Sequence, residues 1–202
     1  MTKHSGLVWA GLHLAWYPGQ QGGNAIADVL FGNVNPAGRL PVTFYRSVDD
    51  LPPFADYSMK GRTYRYFSGR PLYPFGHGLS YTAFEYSALK MSRPSVTSAD
   101  SLAVTLSVRN SGQRAGEEVV QLYVRPLDPV RPMPVRSLRA FARVPLAAGE
   151  KRDVSFTLTP AKDFGFYDET KKAASVDPGD YEIGVGASSA DIRVTGRVRV
   201  KE

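Results

Sequence analysis

The order of apolar and polar positions changes character along the chain, and each change predicts a different kind of element. The run "GLVWAGLHLAW" at residues 6–16 is nearly all apolar and reads as a buried strand. The turn "YPGQQGG" follows. Ala25, Ile26, Val29 and Leu30 then recur at the spacing of one helical stripe, which predicts a helix capped by Asn24, stopped by Gly32 and turned inward on Ile26, Val29 and Leu30. Asn35, Pro36 and Gly38 make a turn ahead of a short predicted strand, Leu40 to Phe44. Residues 46–83 lose all periodicity and are rich in proline, glycine and aromatic side chains. Such a composition predicts an ordered connector, because flexible linkers lack the Tyr and Phe that pin a chain to a surface.

Beyond Phe84 the period becomes two. "SLAVTLSVRN", "EEVVQLYVR", "LRAFARV", "KRDVSFTLT", "DYEIGVGAS" and "ADIRVTGRVRV" alternate in polarity and are separated by turns such as "NSGQRAG", "LAAGEK" and "VDPGDY". This predicts an antiparallel two-sheet sandwich of roughly seven strands. In the last run Arg197, Arg199 and Lys201 share one face and Val198 and Val200 the other, the pattern of a strand whose basic side deters edge pairing.

Composition narrows the chemistry. With 43% hydrophobic and 22% charged residues the chain can fill a core, and without cysteine it has no disulfide, thiolate nucleophile or zinc thiolate cluster. The net charge of +6 is spread evenly, and the densest bases, Arg125, Arg131, Arg136, Arg139 and Arg143, lie among prolines with no nucleic-acid motif. They read as a solvated strand face, so neither a nucleic-acid partner nor a membrane partner is expected. The first apolar run is interrupted by His13, has no small-x-small cleavage site and is too short to span a bilayer, so no signal peptide is read in it. The Gly-rich turn before the helix lacks both phosphate-binding fingerprints. His4, His13 and His77 have no spacing that collects three metal ligands, so neither a metal nor a cofactor is expected.

Several stretches in one order carry a resemblance: "WYPGQQGGNAIADVLFGNVNPAGRLPVTF", "YSMKGRTYRYF", "PLYPFGHGLSYTAFEYS", "VRNSGQRAGEEVVQLYVRP" and "DPGDYEIGVGASSADIR". Together they resemble the C-terminal portion of glycoside hydrolase family 3, and the "DYSMKGRTYRYF" form looks most like its bacterial β-xylosidase branch. The family comprises retaining, exo-acting β-glucosidases and β-xylosidases, often periplasmic or secreted. They are built from a barrel, an α/β sandwich and commonly a fibronectin type III-like domain. The resemblance implies a mainly β chain. Residues 1–45 would be the end of the α/β sandwich, 46–83 a connector and 84–202 a fibronectin type III-like, immunoglobulin-like sandwich.

It also implies where the chemistry lies. Retaining hydrolysis needs two convergent carboxyl groups about 5–5.5 Å apart. The family's aspartate nucleophile belongs to the barrel, and its acid/base glutamate usually lies upstream of the Tyr-Pro-Gly motif. The resemblance therefore implies no catalytic residue in this chain, whose substrate in a full-length parent would be a β-linked glucoside or xyloside. Among the acids present, Asp28 reads as a local hydrogen-bonding group, and Glu117 and Glu118, adjacent on a strand, point to opposite faces. Tyr64, Arg65 and Tyr66 read as docking groups of the connector, and Trp16 and Tyr17 as packing beside the helix. Three functions follow: a C-terminal part of a β-glycosidase with a packing role, an accessory carbohydrate-binding module serving a separate catalytic chain, and an independent fibronectin-type binding domain. In the first two, an apolar face that the barrel and α/β portions would cover is open to self-association.

Overall fold

The computed structural model describes residues 14–202. The expected strand at residues 6–16 and the histidines His4 and His13 fall largely on residues outside that range.

Alternation from Phe84 onward is realised as two facing sheets. One contains β1 (Phe84–Tyr86), β2 (Lys90–Met91), β4 (Leu102–Asn110) and β7 (Lys151–Leu158); β1 and β2 both pair with β4, and β7 lies along its other side. The second runs in the order β3 (Ser95–Val96), β11 (Ile192–Val200), β10 (Gly179–Gly186), β5 (Gly116–Pro126), β6 (Ser137–Leu146). A short helix, α3 (Pro160–Asp163), and a hairpin of β8 (Phe166–Asp168) and β9 (Ala173–Ser175) follow β7. Leu102, Val104, Leu106 and Val108 of β4 face Val120, Leu122 and Val124 of β5 and Ile183 and Val185 of β10, all buried. Strands with one apolar side each can bury it only against another such sheet, which is why the fold is mainly β and closes as a sandwich.

Three sequence expectations need correction here. The sandwich is not wholly antiparallel, because β3 pairs in parallel with β11. This pairing gives β11 a second neighbour at Arg199 and Val200, and on its basic face Arg199 is neutralised by a two-pronged contact with Asp180 of β10 at 2.7 and 2.8 Å. The strand β5 is not half exposed. Its residues 118–124 are buried on both sides, because the connector covers the face opposite the core.

The N-terminal expectations fare differently. The helix α1 spans Gly22–Leu30 with Gln21 at its cap position, three residues earlier than the expected cap Asn24. The Pro18–Gly19 turn already sets the first bonds, Gly22 N–H to Gly19 O and Ala25 N–H to Gln21 O, and Asn24 instead donates to the Gln21 side chain at 2.7 Å. Gly32, at φ +76°, ends the helix as expected. Its apolar stripe is not turned inward: Ile26 is 37% and Leu30 61% exposed, since no layer packs over it among the described residues. Trp16 and Tyr17, expected to pack, are exposed as well.

The expected strand Leu40–Phe44 is reduced to two points of backbone pairing. Leu40 exchanges bonds with His77 and Gly76, and Phe44 bridges Tyr73. Between them Pro41 has no N–H to give, so no continuous ladder forms. The connector also contains a 3-10 turn at Val48–Asp50, closed by a reciprocal Ser47–Asp50 capping box, and the one-turn helix α2 (Thr63–Tyr66).

Candidate functional site

The connector is fastened to β5 by polar groups that the alternation of that strand places outward. Gln121 donates through Nε2 to the carbonyls of Gly76 (3.1 Å) and Ala187 (2.6 Å), while its Oε1 accepts from the Tyr123 hydroxyl at 2.6 Å. Every polar atom of the buried amide is thereby used, which offsets its desolvation. Gly76 sits at φ +81°, and a Cβ there would meet the Gln121 amide oxygen, so this position requires glycine twice over. Tyr64 lies stacked on Phe75 (4.2 Å) and edge-on to Tyr123 (6.0 Å), and its hydroxyl accepts the Leu138 N–H. Arg65 lies over the Tyr66 ring. Tyr64, and Arg65 through its carbonyl, which accepts the Val135 N–H at 2.6 Å, thus join the connector to the sandwich, whereas the Tyr66 ring contact is with its own neighbour.

Where the connector meets the end of the sandwich there is a cavity of about 560 Å³. Glu118 enters it from the core side of β5 and is 2% exposed. Its two oxygens are held separately: Oε2 accepts from Arg39 at 3.1 Å and Oε1 from the Tyr86 hydroxyl of β1 at 2.8 Å. Burial, and then the neighbouring Glu118 charge, push the Tyr86 phenol well above its ordinary range, so it stays a donor at neutral pH. Arg193 of β11 lies over the Tyr86 ring at 4.9 Å, donates to the Phe84 carbonyl at 2.7 Å and pairs with Asp191 at 3.0 Å. His77 completes one wall, stacked on Tyr73. Burial, followed by the Arg39 charge, lowers its pKa below the ordinary 6.5, with Asp191 opposing. His77 is thus neutral at pH 7.

Glu117 turns the other way and pairs with Arg143, so the two adjacent glutamates do not converge. Asp28 accepts a hydrogen bond from Asn33 at 3.1 Å. Asp56 accepts the Ser58 N–H at 2.8 Å, a contact that holds its carboxyl below the ordinary range. Among the described residues no group of three His, Cys, Asp or Glu side chains is placed to hold a metal ion. The basic stretch, expected as a solvated face, is largely paired: Arg125 with Glu182, Arg131 with Asp177 and Arg143 with Glu117. Sequence reading missed the Arg39–Glu118–Tyr86 cluster. Its one local signal was a charged residue at an inward position of β5, and the partners lie 79 and 32 residues away.

A family model described as the glycosyl hydrolase family 3 C-terminal domain matches residues 7–81, and one described as a fibronectin type III-like domain matches residues 118–189. The chain is 47% identical over 178 residues to a xylan 1,4-beta-xylosidase of Xylanibacter ruminicola, covering 88% of this chain and 20% of that protein. Its fold is similar to a β-glucosidase of Erythrobacter marinus (TM-score 0.80, 45% identity, 93% of this chain and 25% of that one). It is also similar to the β-glucosidase of Kluyveromyces marxianus solved in complex with glucose (TM-score 0.82, 36% identity, 93% and 24%). The chain thus spans a fifth to a quarter of the length of these relatives.

Proposed function

Because the chain belongs to glycoside hydrolase family 3, we propose that it is the C-terminal part of a retaining exo-β-glycosidase acting on β-glucosides or β-xylosides. In that enzyme it packs against the catalytic portion and supplies neither catalytic carboxyl group. One observation carries this reading. Residues 14–83 hold exposed large apolar side chains, among them Tyr17 at 100%, Phe31 at 83%, Phe54 at 96% and Tyr57 at 91%, whereas the core of the sandwich is closed. Exposed apolar side chains in this number are what a docking face presents, since apolar area left in water favours association. We further read residues 1–45, 46–83 and 84–202 as the end of an α/β sandwich, its connector and the fibronectin type III-like domain.

The carboxylates of the described residues support the same conclusion. Glu118 is committed to Arg39 and Tyr86, Glu117 to Arg143 and Asp28 to Asn33. Retaining hydrolysis asks for a nucleophile and an acid aimed at one bond. Purified residues 1–202 are expected to release no nitrophenol from nitrophenyl β-glucoside or β-xyloside above the buffer rate. Turnover that survives purification and vanishes on changing Asp28, Asp56, Glu117 or Glu118 to Ala would overturn this.

The exposed face equally supports an accessory module that joins a separate catalytic chain. Mixing the protein with the separately produced upstream portion of the Xylanibacter relative distinguishes the two. Restored hydrolysis favours a module able to act in trans, and no association favours a part that works only when covalently joined. The Gln121–Gly76 clamp speaks against an independent fibronectin-type domain with residues 1–83 as an appendage, because deleting them would remove one of the two carbonyls that the Gln121 amide donates to and uncover the outward face of β5 that the connector buries.

A further inference from the structure

We propose that Arg65 of the connector and Arg139 of β6 together form a binding site for a single carboxylate group. The fold presses their two segments together: the Arg65 carbonyl accepts the Val135 N–H at 2.6 Å, and the Tyr64 hydroxyl accepts the Leu138 N–H at 3.0 Å, one residue before Arg139. Arg139 is itself the extra residue of a bulge. Leu138 stands opposite Tyr123 and Ala140 opposite Leu122, so Arg139 has no cross-strand partner, and a bulge re-aims the side chain that it inserts. Here the side chain comes within the field of the connector: burial, then the Arg65 charge, lower the Arg139 pKa from its ordinary value, with Asp163 and Tyr64 opposing.

What this site holds is donors in want of acceptors. The Nε–H groups of Arg65 and Arg139 are both buried without a partner, and the Tyr64 hydroxyl, which accepts from Leu138, keeps its own proton to donate. Arg139 otherwise gives one long bond, 3.5 Å from Nη2 to the Gly165 carbonyl, and Arg65 lies over the Tyr66 ring. Arg125, Arg131 and Arg143 each have a carboxylate partner, whereas neither Arg65 nor Arg139 forms an ion pair among the described residues. Asp163, the acid that acts on Arg139, already accepts the Thr159 N–H at 2.7 Å. Such a wall selects a group that only accepts. A neutral carbonyl would leave two like charges facing each other, and an anion removes that repulsion. Two guanidinium groups set against Asp163 leave one positive charge over, which a carboxylate matches and a phosphate dianion exceeds. Both arginines are half-buried, so a ligand reaches them from solvent while the partly desolvated setting strengthens the contact. The inference concerns binding by this chain alone and does not rest on the glycosidase reading.

Titration of the full chain with sodium acetate at constant ionic strength, followed in proton–nitrogen spectra at the Arg65 and Arg139 Nε–H groups and the Tyr64 and Gly165 amides, tests it. Saturable shifts are expected, with a dissociation constant on the order of 10 mM, and none from sodium chloride or from acetamide, the neutral isostere of acetate. Arg65→Gln and Arg139→Gln should each weaken acetate binding about ten-fold, the loss of one charge-assisted donor, and either variant serves if the other folds poorly. Arg143→Gln, on the same strand but outside the site, should titrate like the parent. A blocked peptide, acetyl-Gly-Glu-Gly-amide, distinguishes the source of the carboxylate: tighter binding than acetate assigns the site to an acidic side chain of a protein partner, and equal or weaker binding to a free small carboxylate. Should association broaden the parent spectrum, the same titrations in a Leu30→Ser, Phe31→Ser background keep the readout. Acetate shifts that are absent or rise linearly without saturating, shifts reproduced by acetamide or chloride, or Gln variants that titrate like the parent would each sink the proposal.

Discussion

At the scale of single residues, the stability of the junction rests on groups whose partners come from distant parts of the chain. Glu118→Ala strands the Arg39 guanidinium, 10% exposed, without its carboxylate and leaves the Tyr86 hydroxyl without its acceptor. Removing one member of a buried pair typically costs about 3–5 kcal/mol, so urea unfolding should show a loss of that order. Gly76→Ala places a methyl against the Gln121 amide at a left-handed backbone position and should cost on the order of 1–3 kcal/mol. A melting temperature equal to the parent's would show that the clamp yields freely. His77 carries a pH dependence of known sign. Its folded pKa lies below the ordinary 6.5, burial being the larger cause and Arg39 the next, against the pull of Asp191. As pH falls through the unfolded value the unfolded chain takes up the proton first, so stability declines from about pH 7 towards pH 5. His77→Gln should flatten that part of the denaturant midpoint profile, and an unchanged slope would assign it to other groups.

At the scale of elements, burial separates α1 from the strands although both are amphipathic. The α1 stripe reads as a core face, yet Ile26→Asp should change stability by less than about 0.5 kcal/mol, because Ile26 has water on one side and no apolar layer over it among the described residues. Leu122→Ala in β5, where the side chain is fully buried between the sheets, should cost about 2–5 kcal/mol. Measured side by side, the two variants report whether hydrophobic pattern or actual coverage governs each element. The strand β5 makes the complementary point. Its inward face was legible as Val120, Leu122 and Val124, but its outward face is also buried, under Tyr64, Phe75 and Gly76.

At the scale of the whole molecule, a closed β core and an open apolar flank sit in one chain. The sandwich closes its core between the two sheets, whereas Trp16, Tyr17, Leu30, Phe31, Phe54 and Tyr57 stay in contact with solvent. Concentration-dependent self-association is the expected outcome, read by sedimentation velocity. Replacing Leu30 and Phe31 by Ser should reduce it without lowering the unfolding midpoint, since neither residue belongs to the core. A parent that remains monomeric across the concentration range would show that the scattered apolar groups do not form a joint contact surface.

The amino-acid sequence by itself determined the long strands, the turns between them, the helix and its stop at Gly32, and the family. Each of these depends on local periodicity, on residues with special backbone freedom, or on motifs held in a set order. Only the tertiary structure decided which amphipathic face is covered, because coverage is a property of a second surface that the first does not encode. The apolar stripe of α1 and the outward side of β5 look comparable as text; one faces solvent and the other lies beneath the connector. The same holds for Glu118. Whether a carboxylate on a strand is solvated or locked in a buried cluster depends on Arg39 and Tyr86 arriving from 79 and 32 residues away, and no spacing along the chain states that meeting. Pro41 shows the reverse case, a single local residue that interrupts a predicted strand by withholding one donor while the surrounding backbone still pairs.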